Sequence, residues 1–454
     1  MRKAAKYSLT EAEELVGSAK STNLKSPLLD LRGEIETEFK YHFMPKGAKE
    51  LKIIDNMSEL LSYTHSSNPN EREAAYITLF NKFKDNLSKF FLIYQAVVKD
   101  WNYEVEKRGY ASSISKRNIA NGLPDKAIEA LLEVCGENVG IFQDFFKFKA
   151  KELGVEKLRR FDIYAPLKTA TNENISFEEG KKIILETLGK LSPEFAVKAK
   201  QVLDEGHLDS HPDSKKQGGA FCMTITPNIT PYVLLNYANK FRDVSTLAHE
   251  LGHAAHALYA NHHSVSSQHA SLPLCETAST LAEMIVFEKL FENADEKTKK
   301  VMLSDKMGAS YATIIRQNYF VNFEIKAHEA IKKGINCEEL SDIYFETLKE
   351  QFGDSIDIDP IFKYEWSYIP HIVHTPFYCY AYSFGDLLSL ALYSRYKEEG
   401  QSFVPKIEKI LATGGSKSPE DTLKEVNIDL TSKEFWQGSF NVIKGWQEQL
   451  NSFQ

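Results

Sequence analysis

Cysteine is scarce in this chain: five residues among 454, at Cys135, Cys222, Cys275, Cys337 and Cys379. Their number is odd and no two form a C-x-x-C pair, which argues against a disulfide framework and predicts reduced thiols in a cytoplasmic protein. Cys275 reads as a small packing residue rather than a metal thiolate. Long apolar runs are also missing. No stretch approaches the ~18 residues of a membrane helix, and Met1-Arg2-Lys3-Ala4-Ala5-Lys6 leads into polar sequence without the apolar core of a secretory signal. No membrane partner is expected. Nor is there an excess of positive charge: Lys+Arg number 55 against 63 Asp+Glu, a net charge of −8. With no extended basic stripe to track phosphates, a nucleic-acid partner is not expected either. Internal repeats and low-complexity tracts are absent.

What is present suits a large folded core: 43% hydrophobic and 26% charged residues, enough for two or three domain-sized units. The chain reads as mainly helical. Segments 86–109 and 125–153 repeat apolar residues at three-to-four spacing. Ser192-Pro193 and Ser418-Pro419 look like N-caps followed by Pro in the first turn. A polar break over 207–219 precedes β-branched and aromatic residues at 218–226 and 231–237, which read as short strands between Gly, Pro and Asn turns.

One stretch carries chemistry. His249-Glu250-Leu251-Gly252-His253, followed after a histidine-rich spacer by Glu276-Thr277-Ala278-Ser279, supplies two imidazoles, a carboxylate between them and a second, separate carboxylate. Residues four apart on an α-helix share a face, so His249 and His253 can converge on one ion at about 2.0–2.1 Å per Zn–N bond. Glu250, rotated about 100° from His249, flanks that ion and can serve as general base toward water. The bare pattern is loose, and a helix with ordinary i,i+4 histidine pairs would also show it. The apolar neighbours Leu247, Ala248, Ala254, Ala255, Ala257 and Leu258 give the helix a buried face. Gly252 costs roughly 1 kcal/mol relative to Ala inside a helix, which implies a packing or site reason. His256 lies two turns from His249, about 10.5 Å along the axis, too far to share a tetrahedral ion, and is expected to pack behind the site. Glu276 opens a helical run and completes a two-His, one-Glu zinc set with a fourth position open. Glu283, on the same run, is expected to hold a ligand histidine through its other ring nitrogen; an exposed helix acid is the plainer reading. His262, His263 and His269 lie in a polar connection and are expected to be solvated.

The stretch His249–His256 with Glu276–Thr280 and Glu283 closely resembles the zinc peptidases typified by thimet oligopeptidase and oligoendopeptidase F. The likeness extends upstream to Gly219-Ala220-Phe221, Pro231–Tyr237 and Asp243-Val244. It resumes at Ile369-Pro370-His371, Phe377–Tyr382 and Phe384-Gly385. Weaker likeness runs from Lys6–Leu9 through Leu158–Leu167 to the C-terminal helices, and the match is closer to the oligoendopeptidase F branch. The resemblance implies a mainly α, two-lobed peptidase with a deep central cleft and a small β-sheet beside the zinc-binding helix. It implies one Zn²⁺ per chain and cleavage of internal bonds in short peptides. Glu250 would be the base; Tyr380, with His371 or His374, would stabilise the oxyanion. Gly219, Ala220 and Phe221 on an edge strand, and Tyr378, would contact substrate. Residues 1–115 would form an N-terminal helical segment shorter than in relatives, and 116–454 the peptidase region, with its core at about 206–396. Part of the lobe that encloses the substrate channel is therefore expected to be missing.

Two other readings compete. A zinc carboxypeptidase or dipeptidyl carboxypeptidase shares the metal set but needs a cation for the substrate's terminal carboxylate, and no such residue stands out in the sequence. A peptide-binding protein with a structural metal would have no use for Glu250. Nothing in the sequence fixes an oligomeric state.

Overall fold

Helices make up most of the computed structural model, which describes residues 5–167 and 174–453. They gather into two units, each built from three stretches of chain. One comprises Met1–Ala120, Glu137–Lys168 and Met307–Tyr380; the other Asn121–Gly136, Thr169–Lys306 and Ala381–Gln454.

In the first unit, helix Leu87–Arg108 packs against helix Arg316–Lys332 and buries Phe90, Tyr94, Val98 and Trp101. The sequence periodicity over 86–109 matches it. Gly109 ends it at φ +73, a left-handed conformation that a Cβ would strain. The core is aromatic, with Tyr94 near Phe323 and Trp366. A buried charge network crosses it: Arg160 and Arg316 each donate to Glu365 Oε1 at 3.0 Å.

The second unit holds the H-E-x-x-H helix, Phe241–Tyr259, which packs along helix Thr277–Asn293 and against helix Pro193–Asp204. Ser192 caps the latter, its hydroxyl accepting from Phe195 N–H at 3.1 Å, with Pro193 in the first turn. A three-stranded sheet packs on the H-E-x-x-H helix through Phe221–Met223 and Tyr232–Leu234. Its order puts Tyr232–Leu234 in the centre, parallel to Leu208–Asp209 and antiparallel to Phe221–Met223, with Cys222 opposite Val233. Phe221–Met223 is therefore an edge strand. The periodic segment 125–153 is helical, as its spacing predicts, in two pieces. It divides into Asp125–Glu137 and Val139–Leu153 at Asn138, whose φ −107 and ψ 7 leave the helical region. Apolar periodicity runs through the break because both halves bury the same kind of face.

Candidate metal centre

Asp243 sets where the motif-bearing helix starts. Its Oδ2 accepts from Lys240 N–H at 2.9 Å and Ala238 N–H at 2.8 Å, satisfying donors the helix start leaves open. Val244, Leu247, Ala248, Leu251 and Ala255 then turn into the core, and His249 and His253 come together on another face. Their rings meet edge to face with centroids 4.8 Å apart. Gly252 faces helix Thr277–Asn293 so closely that a Cβ would stand 2.6 Å from Ser279 Cα and 2.8 Å from the Ala278 carbonyl oxygen. The unfavourable glycine is what lets the two helices touch backbone to backbone.

That contact brings Glu276 to the histidines. Its Oε2 lies 3.4 Å from His249 Nε2 and 3.3 Å from His253 Nε2. Ser279 Oγ donates to the same oxygen at 2.8 Å, and Gly385 leaves room for the Glu276 side chain, since a Cβ there would approach Glu276 Cβ to 3.3 Å. Among the described residues these three form a group able to hold a metal ion, with donor atoms within 4.8 Å of one another. A tetrahedral ion with bonds of about 2.0–2.1 Å needs donors ~3.3–3.4 Å apart, so the donor set fits Zn²⁺.

Behind the donors stands a second layer. Glu283 Oε2 lies 3.5 Å from His249 Nδ1, and Lys306 Nζ donates to Glu283 Oε1 at 3.0 Å. Burial disfavours charge on Glu283, but Lys306 and His249 outweigh it and hold the carboxyl down at about 2. Burial likewise opposes a charge on His249, yet Glu276 and Glu283 push the imidazole up to about 10. Two carboxylates thus create a strong demand for positive charge at this point. Asp386, raised to about 6 by burial despite Lys306, faces the same group.

Glu250 is 6% exposed, and its Oε2 has no hydrogen-bond partner among the described residues. Burial raises its proton affinity against the opposing charges of His249 and His253. With both histidines it lines a cavity of about 410 Å³ that also takes in Ala220, Phe221, Cys222 and His269. His256 is outside the donor group. It is buried, held down at about 4 chiefly by that burial, and hydrogen-bonds the Cys275 backbone beside Glu276. His263, expected to be solvated, is half-buried, with Nε2 2.9 Å from the Ala412 carbonyl oxygen. Gly219 takes φ +84 just before the edge strand, where glycine is the residue without strain.

The aromatic segment belongs to the first unit. His371–His374 forms one helical turn, and Tyr380 begins helix Tyr380–Glu399. The Tyr378 ring lies parallel to His371 with centroids 5.8 Å apart. Tyr378 is half-buried, His374 exposed and Tyr380 fully buried. Between them Phe377 adopts φ +59, uncommon for a bulky residue. Glu324 Oε1 accepts its N–H at 2.8 Å, and Arg117 Nε donates to the Pro376 carbonyl at 3.0 Å. Lys306, Glu324 and Arg117 were not singled out from sequence. Each acts on the donors or the aromatic segment from a distant helix or turn, and no local spacing announces that.

Fold and donor set define a mainly helical protein that brings two histidines and a glutamate to a candidate metal centre. Residues 62–442 match the model of peptidase family M3. The chain belongs to that family. It is 31% identical over 385 residues to an oligoendopeptidase F homolog of Borreliella burgdorferi, covering 84% of this chain and 65% of the relative. It is 26% identical over 430 residues to oligopeptidase PepF of Bacillus subtilis, covering 94% and 62%. The chain thus spans a little under two thirds of these relatives. The fold is similar to the crystal structure of oligoendopeptidase-F from Enterococcus faecium, with a TM-score of 0.79 at 21% identity over 99% of this chain and 75% of that one. Among the described residues no helix is long and apolar enough to cross a membrane.

Proposed function

We propose that the protein is a zinc-dependent oligopeptidase that hydrolyses internal bonds of short peptides in the cytoplasm. The observation that carries this reading is the convergence of His249 Nε2 and His253 Nε2 on Glu276 Oε2 at 3.4 and 3.3 Å, with a buried, unpartnered Glu250 oxygen lining the same cavity. His249, His253 and Glu276 would hold one Zn²⁺, which supplies Lewis acidity to the scissile carbonyl and to water.

Glu250 takes a proton from the attacking water and passes it to the leaving amine, a role that needs an acceptor without a competing partner. Glu283 fixes the His249 ring through Nδ1, leaving Nε2 for the metal. The edge strand at Phe221, entered through Gly219 and Ala220, pairs with the extended backbone of a peptide. Tyr380, with His371 or His374, donates to the oxyanion, and Tyr378 contacts substrate; the resemblance of this segment to the peptidase family supports these roles. The catalytic core falls at about 206–396, within a peptidase region over 116–454.

Chelation followed by metal restoration on an internally quenched, end-blocked peptide tests the proposal. Activity lost to the chelator and restored by stoichiometric zinc is expected, with cuts at internal bonds. Activity indifferent to chelation, or none on any short peptide, overturns it.

A further inference from the structure

Helix Val404–Ala412 packs against the H-E-x-x-H helix, and the turn that follows it, Thr413-Gly414-Gly415, meets the chain at 267–269. Gly415 N–H donates to the Ser267 carbonyl at 2.9 Å. A Cβ on Gly414, which holds φ +52, would stand 2.7 Å from the carbonyl oxygens of both Ser267 and Gln268, and one on Gly415 would overlap the His269 carbonyl oxygen. Backbone lies on backbone here, an approach that glycine permits. Two side chains reinforce it. His263 Nε2 meets the Ala412 carbonyl oxygen at 2.9 Å, and buried Gln268 donates through Nε2 to the Ala257 carbonyl at 3.3 Å.

The segment held in this way faces the metal centre. Gln268, His269 and Ala270 line the same cavity of about 410 Å³ as His249, His253 and Glu250. Ala220, at the entry to the edge strand, and Ala257, on the H-E-x-x-H helix, line it too. A peptide paired with that strand turns alternate side chains to opposite faces, so a residue flanking the scissile bond has this cavity to enter. Three of the lining residues are alanines, which leave open the space that larger side chains would fill. No lysine, arginine or aspartate lines it, and its one carboxylate is Glu250, whose role is to take a proton from water. A charged side chain would lose its hydration there without gaining a partner. The cavity therefore suits a bulky, uncharged side chain. His269 is exposed although it lines the cavity, which puts its ring at the mouth.

We propose that the Gly414-Gly415 turn positions 267–270 as the wall that selects substrate side chains in the metal cavity, with Ala257 and Ala270 setting the size accepted and His269 standing at the entrance. The assignment rests on the peptidase reading above. Two sets of quenched, end-blocked peptides test it, with alanine or phenylalanine either just before or just after the scissile bond. Zinc-loaded wild type should favour phenylalanine by about tenfold or more in kcat/KM in one set, which identifies the side that enters the cavity. Ala270→Leu, which fills the space, should cut that ratio by about tenfold, mainly through KM. His269→Ala, which changes an exposed ring, should lower it several-fold. Gly415→Ala must displace 267–270, so it should lower the ratio several-fold at wild-type zinc content and add little to Ala270→Leu, because both act through one wall. No preference in the wild type, or a ratio unmoved by Ala270→Leu and His269→Ala, overturns the wall. Gly415→Ala with reduced thermal stability and an unchanged ratio overturns the positioning role of the turn. Neither result touches the peptidase assignment, which falls instead if zinc-loaded wild type cuts none of the peptides.

Discussion

The Cα of Ser279 lies where a Cβ on Gly252 would have to go, 2.6 Å from it. Gly252→Ala should therefore destabilise the protein even though alanine favours helix by roughly 1 kcal/mol. Overpacking of this kind costs about 1–3 kcal/mol, and relief by separating the helices would move Glu276 away from the histidines. A lowered melting temperature together with weaker zinc binding is expected. A variant as stable as wild type would show that the helix contact yields easily.

Glu250→Gln leaves all three donors intact but removes the proton acceptor. Zinc content should stay at one per chain while hydrolysis falls by about 10²–10⁴-fold. Metal analysis and kinetics on one preparation check this, and near-normal turnover excludes Glu250 as the base.

Glu276→Ala removes a donor that approaches both histidines, whereas His256→Ala removes a group that bonds the backbone beside it. The first should fail to retain zinc on gel filtration and the second should retain it. Equal loss in both would mean that His256 matters to the metal as much as Glu276.

Lys306 and Glu283 act on His249 in series, through contacts of 3.0 and 3.5 Å. Glu283→Gln should weaken zinc binding by about 10–100-fold, the usual effect of losing a group that orients a ligand. Lys306→Met should weaken it less, and adding it to Glu283→Gln should change little further, because the two share one path. Competition against a chromogenic chelator measures all three. Additive losses would separate Lys306 from Glu283.

How much of this was legible depends on the range of each interaction. The donors could be read because His249 and His253 are one turn apart and Glu276 starts the next long helix. Helix Leu87–Arg108 and the cap at Ser192 follow from local periodicity and chemistry. Gly252 flagged a reason without revealing it, since Ser279 is its neighbour only after the helices pack. Lys306 and Arg117 sit on helices with no motif. The positive φ of Phe377 is held by Glu324, a residue on another helix, and no rule of aromatic spacing predicts it.

Tyr380 and Tyr378 divide the last question between them, because the first is fully buried and the second half-buried beside His371. A hydroxyl that donates to the oxyanion contributes only after water has attacked, so its loss should appear in kcat and not in KM. Phenylalanine keeps the ring and its packing in either position. If Tyr380 is the donor, Tyr380→Phe lowers kcat on the order of 10²-fold at near-constant KM, and Tyr378→Phe mainly raises KM by removing a substrate contact. If burial confines Tyr380 to the core, its phenylalanine variant keeps kcat and shifts only the melting temperature, while Tyr378→Phe takes the loss in kcat. Steady-state kinetics on both variants at fixed pH, with zinc content matched to wild type, assigns the hydroxyl that meets the transition state.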